Sequence, residues 1–239
     1  MNDLFGLVVC AVSAGIIQGM TGFGAGIVMM VYLPSLLTIT QSAGVSTMIV
    51  SALCTVMVIK YRKTIQYRKV IIPFVIYAGM ATVAITFSDL IDQSIMKKLL
   101  GLFLLILSGY FLSKKSKESE TFSWVKAGVF ISLSGVFSGL FGIGGPLMAV
   151  YYLSLSETKE MYLGTIQFFF FINTLYTLII RMLNGIITTA HLPIILIGMI
   201  SILIGLLIAL KFLGNISLRK MKVLIHFFIG LSGLYYMFM

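Results

Sequence analysis

Two glycine-rich stretches carry the pattern in this chain most able to do chemistry. Residues 19–33 are GMTGFGAGIVMMVYL and residues 139–153 are GLFGIGGPLMAVYYL. At a constant offset of 120, Gly19, Gly22 and Gly24 coincide with Gly139, Gly142 and Gly144, and Leu33 meets Leu153. Ala25 lies opposite Gly145, and Gly26 opposite Pro146. Glycine permits positive φ and lets a ligand approach the backbone closely. Pro146 suits a first helical turn, where its missing N–H costs nothing. Helices beginning near Ala25 and Gly145 would aim free N–H groups and positive dipole ends at one place. Two such ends, brought together, make an anion site without a buried cation. The expected binding residues are therefore Gly22, Phe23, Gly24, Ala25 and Gly26 with Gly142, Ile143, Gly144 and Gly145.

Uncharged polar residues inside apolar runs join this set. Thr47 and Thr165 each fall early in the helix after the motif, where a hydroxyl can turn to the site or bond its own backbone. Gln18, Gln167 and Asn173 are costly against lipid and should face the interior, as helix glue or as ligand contacts. Arg181 ends a charge-free run and is expected as an interfacial anchor. His226 lies well inside the last span, where a helix–helix hydrogen bond is favoured over a proton relay. All seven acidic residues sit at segment ends or in loops, so a cation substrate is disfavoured. If protons are coupled to transport, they travel on a weak-acid substrate or through His226. Cys10 and Cys54 sit in apolar spans without metal-ligand spacing, so no metal or cofactor is expected.

The elements that must position these residues are membrane spans. Of 239 residues, 59% are hydrophobic and 10% charged, against roughly 25% charged in soluble domains. Ten hydrophobic segments fall at 4–19, 23–37, 41–60, 70–88, 95–112, 124–140, 143–155, 160–181, 190–211 and 218–238. The expected fold is an all-α polytopic membrane protein of two homologous halves, 1–112 and 124–239, joined by the charged linker 113–123. Each half holds a glycine-broken short-helix pair, with members too short to span alone, plus three transmembrane helices. LSGY at 107–110 faces LSGL at 231–234 and extends the duplication. If each pair dips in and returns, the halves are inverted and 14 of the 17 Lys and Arg share one face; if each pair crosses once, the basic clusters split. The inverted arrangement fits better and puts both termini outside. Asp3 without a preceding Lys or Arg lacks a signal-peptide n-region, so the N-terminus is expected to be retained. Pairs such as Gly198 with Gly205, and Gly230 with Gly233, are expected simply to let helices pack.

The net charge of +10 comes from loop clusters flanking apolar spans, with no aromatic-interleaved groove for bases, so nucleic acid is excluded as a partner. An embedded enzyme is disfavoured too: the chain has no HExxH, no nucleophile paired with His and no intramembrane carboxylate pair.

QGMTGFGAG (18–26), SGLFGIGGP (138–146) and QFFFFIN (167–173) together resemble the TauE/SafE sulfite-exporter-like transporters, and the resemblance covers nearly the whole chain. The sequence departs from that family's fuller glycine pattern at Ala25 and Pro146. The resemblance implies movement of sulfite, sulfoacetate, thiosulfate or other small organic acids. The expectation is thus an alternating-access carrier for a small anion, multi-pass in a prokaryotic cytoplasmic membrane, with room for a homodimer. An anion channel on the same scaffold and a non-transporting assembly subunit are its rivals.

Overall fold

A computed structural model describes residues 2–92, 94–96, 98, 99, 102, 103, 106, 123–213 and 220. Its main helices are α1 (Asn2–Thr21), α2 (Ala25–Tyr32), α3 (Ile39–Tyr61), α4 (Arg68–Phe87), α5 (Trp124–Phe141), α6 (Gly145–Ser154), α7 (Lys159–Leu183) and α8 (Leu192–Leu213). No strand occurs among the described residues, and six of these helices are long and apolar enough to cross a membrane. The chain is an all-helical, multi-pass membrane protein. Most of segments 95–112 and 218–238, most of the linker, the LSGY and LSGL stretches, Gly230, Gly233 and His226 lie outside the described residues.

Local sequence explains where the helices begin. Thr38 caps α3 in a capping box with Gln41, its side chain accepting from Gln41 N at 3.3 Å. Thr158 caps α7 with its side chain alone, accepting from Met161 N at 3.1 Å. These caps are 120 residues apart, as are the first residues of α2 and α6 and of α3 and α7.

The expectation that both members of each glycine pair are too short to span needs correction. α1 has 20 residues and α5 has 18, each long enough to cross; only α2, with 8, and α6, with 10, are short. The reason is that Gly15, Gly19, Gly135 and Gly139 do not interrupt their helices but let neighbours approach. A Cβ on Gly19 would sit 2.6 Å from Ala209 Cβ, and one on Gly205 would sit 3.1 Å from Gly15 Cα. Across the molecule, a Cβ on Gly135 would sit 2.6 Å from Tyr77 O, and one on Gly139 2.6 Å from Ala81 O. Without a hydrophobic drive in lipid, such close backbone packing is what holds helices together. Gly198 has the same use, facing Ile49.

These contacts also fix direction. Gly15 and Gly19 meet Gly205 and Ala209, so α1 and α8 run parallel; Gly135 and Gly139 meet Tyr77 and Ala81, so α4 and α5 run parallel. α3 and α7 are antiparallel, since Thr64 Oγ1 donates to Glu160 O at 2.9 Å while Arg181 reaches Thr40 O at 3.5 Å. α2 folds back along α1: Cys10 Sγ meets Val28 O at 3.2 Å and Tyr32 Oη donates to Asp3 O at 2.8 Å. α6 returns toward the start of α4, where Lys69 Nζ donates to Leu155 O at 3.0 Å. One end of the bundle thereby collects Lys60, Arg62, Lys63, Arg68, Lys69, Lys126, Lys159 and Lys211, with Lys159 Nζ on Leu213 O at 3.1 Å. α1 begins at the other end. Outward faces are apolar, as at Ile71, Ile72 and Val75 of α4 and Leu196, Ile200 and Ile204 of α8. Lipid, being apolar, accepts such a surface.

Candidate functional site

The two glycine turns touch. A Cβ on Gly26 would meet the Gly142 carbonyl, and one on Gly145 would meet Phe23 Cβ at 3.1 Å. Gly22, Gly24 and Gly142 have φ of 85°, 104° and 68°, the left-handed region that side chains disfavour, and so need glycine. Gly144, opposite Gly24, has an ordinary φ of −107°. Its glycine is required by space instead, because a Cβ would run into Tyr77 and approach Ser134 O at 2.8 Å. α2 and α6 start directly after these turns, and Pro146 falls in the first turn of α6.

Each turn is held by side chains. At the first, Ala25 N–H donates to Gln18 Oε1 at 3.1 Å and Gln167 Nε2 donates to Gly22 O at 2.9 Å. Gln18 Nε2 links onward to Gln167 Oε1 at 3.4 Å and Cys54 Sγ at 3.6 Å. Tyr162 Oη donates to Thr21 O at 2.8 Å. At the second turn, Arg181 donates to Ser138 O at 3.0 Å and to Gly139 O at 2.6 Å, satisfying carbonyls at the end of α5. Arg181 is 0% exposed, so the expected interfacial anchor is corrected to a buried clamp. Snorkelling did not win because α5 ends in carbonyls within reach of the guanidinium fork. The staples Tyr162, Gln167 and Arg181 all come from α7.

Between the turns lies a cavity of about 60 Å³. Pockets for drug-sized ligands run to roughly 300–1,000 Å³, so it has room for only a few heavy atoms. Nine expected residues line it: Gln18, Gly24, Gly26, Thr47, Gly142, Ile143, Gly144, Gly145 and Asn173. Five do not. Gly22, Phe23 and Ala25 belong to the first turn but stand behind its lining, and Gln167 braces that turn. Thr165 accepts from Gln66 N at 3.1 Å, because its side of α7 faces the α3–α4 connection, while its neighbours Tyr162 and Gln167 reach the first turn.

Several lining residues were missed: Ser46, Val50, Tyr77, Ser138, Phe170, Thr174 and Thr177. Thr177 lies one helical turn beyond Asn173, so helical spacing could have flagged it. Tyr77 sits in an otherwise apolar run and gives no such signal. Among the described residues, none that lines the cavity is Asp or Glu.

The sequence profile of the sulfite exporter TauE/SafE family matches residues 7–236. The chain belongs to that family. As a TauE/SafE protein it is a membrane transporter of the sulfite-exporter type. Neither a curated protein nor a solved structure matches it. In this TauE/SafE chain, the two glycine signatures form the turns on either side of the cavity.

Proposed function

We propose that this protein is a secondary carrier that moves one small anion across the cytoplasmic membrane of a prokaryote by alternating access. Its cargo would be a sulfur oxyanion, an organosulfonate or a short organic acid. The observation that carries this reading is the meeting of the α2 and α6 N-termini around a small cavity with no carboxylate among its described lining residues. Helix N-termini attract negative charge through unsatisfied N–H groups and the helix dipole. A carboxylate-free lining disfavours a cation guest.

The opposed directions of the pairs support two inverted halves around this site: α1 enters from one end of the bundle and α5 from the other. The basic end is the cytoplasmic one by the excess of Lys and Arg there. Two inverted halves rocking about a shared midplane site is a known geometry for alternating access.

The test is flux in proteoliposomes, with sulfite, thiosulfate, sulfonates and short carboxylates chosen first by thermal shift. Saturable flux is expected for at least one anion, and Gly24→Leu or Gly144→Leu should abolish it while protein remains in the membrane. Unaltered flux in both variants would remove the cavity from the transport path. Single-channel currents would assign a channel instead, and no ligand-dependent shift with any anion would favour a non-transporting subunit.

A further inference from the structure

Two residues lining the cavity have buried polar atoms that no protein group satisfies: Ser46 Oγ and Asn173 Oδ1. Ser46 is 1% exposed and Asn173 3%. Asn173 Nδ2 donates to Phe169 O at 2.9 Å, which decides which end of the amide is left over. Flipping it would set an oxygen against that carbonyl. An unpartnered buried acceptor is costly, so a native protein keeps one where something meets it.

The neighbours of Asn173 are acceptors as well. Thr177 Oγ1 donates to Asn173 O at 2.7 Å, Thr174 Oγ1 to Phe171 O at 2.9 Å and Thr47 Oγ1 to Ala43 O at 2.7 Å. A hydroxyl has one proton, and each of these is already engaged with backbone, leaving lone pairs for the cavity. An anion with no hydrogen to donate would set its oxygens against these lone pairs. The starts of α2 and α6 offer the opposite polarity at the same cavity. The lining therefore has two kinds of surface, one suited to negative oxygen and one to a donor.

We infer that the cavity selects a singly charged anion that retains one O–H or N–H. Its charge lies toward the helix starts and its donor meets Asn173 Oδ1. Ser46, with both a free proton and lone pairs, can serve either part of the guest. This assignment rests on the cavity being the anion site and names the class of anion. Where the donor is an acidic proton, the substrate carries that proton with it, and transport needs no carboxylate relay in the membrane.

The experiment compares anions of equal charge that differ in the donor: glycolate against fluoroacetate, and hydroxymethanesulfonate against methanesulfonate. Affinities are measured by calorimetry on the purified full-length protein. The donor-bearing member of a binding pair should bind at least about tenfold tighter, because its rival leaves a buried acceptor unmet. Asn173→Leu should shrink that ratio to near one. Equal affinities within each binding pair in the unsubstituted protein overturn the assignment without touching the anion site, and need no variant to fold. Absence of binding by every anion, sulfite and thiosulfate included, overturns the site and this assignment with it.

Discussion

The turn at Gly22–Gly24 and the turn at Gly142–Gly144 share a glycine pattern and differ in what holds them. Neutral amides secure the first: Gln18 takes the Ala25 N–H and Gln167 the Gly22 carbonyl. A charge secures the second, where Arg181 clamps Ser138 O and Gly139 O. Gly24 is required for its backbone conformation, Gly144 for lack of room. A repeated motif can thus break the chain at equivalent places through different backbone conformations and different sets of interactions. The neutral turn should yield gradually to substitution. The charged one should fail abruptly, because its staple is a single side chain whose burial is compensated only by carbonyl oxygens.

The largest effect is expected at Arg181. Arg181→Ala should lower stability by about 3 kcal/mol or more, from lost charge-assisted bonds and the void left behind. Arg181→Met fills the space and removes the desolvation cost, and should lose less. Thermal unfolding in detergent measures both. A methionine variant more stable than the parent would mean that the buried charge costs more than its bonds return.

Next comes the pair of equivalent glycines. Gly144→Ala should cost about 2–3 kcal/mol by overpacking against Tyr77 and Ser134 O. Gly24→Ala should cost about 1–2 kcal/mol of left-handed strain. Equal melting temperatures for the two would erase the distinction drawn between conformation and space.

At the neutral turn, Gln18→Leu should cost about 1–2 kcal/mol, since it leaves the Ala25 N–H without its acceptor. Gln18→Leu with Gln167→Leu should cost less than the sum of the two, because the side chains share a bond. Strict additivity in that double-mutant cycle would show that they act separately. The smallest effect belongs to Tyr32→Phe, which deletes an exposed bond from Tyr32 to Asp3 O and should leave the melting temperature almost unchanged. A large loss there would mean that the fold-back of α2 along α1 depends on this contact rather than on packing.

Sequence alone determined the membrane class, since apolar runs and sparse charge leave a chain no other solvent. It placed the starts of α2 and α6 near Ala25 and Gly145, because glycine and proline act on their own backbone and their effect is local. Half of the cavity lining was legible, its glycines from both turns for the same reason. The lengths of α1 and α5 were not: a glycine that breaks a helix and one that lets a helix pack look alike until a neighbour such as Ala209 or Ala81 stands against it. Thr165 is absent from the lining because early in a helix says nothing about which face of that helix meets the turns: Gln167, two residues on, reaches one and Thr165 bonds Gln66 N. Arg181 looked like an anchor for lipid headgroups and became a clamp, since whether a cation snorkels or stays buried depends on acceptors supplied by another helix. Asn173 was picked from its polarity. Only the packed bundle could show that its amide nitrogen is engaged and its oxygen is not, because that follows from which partners the other helices bring within reach.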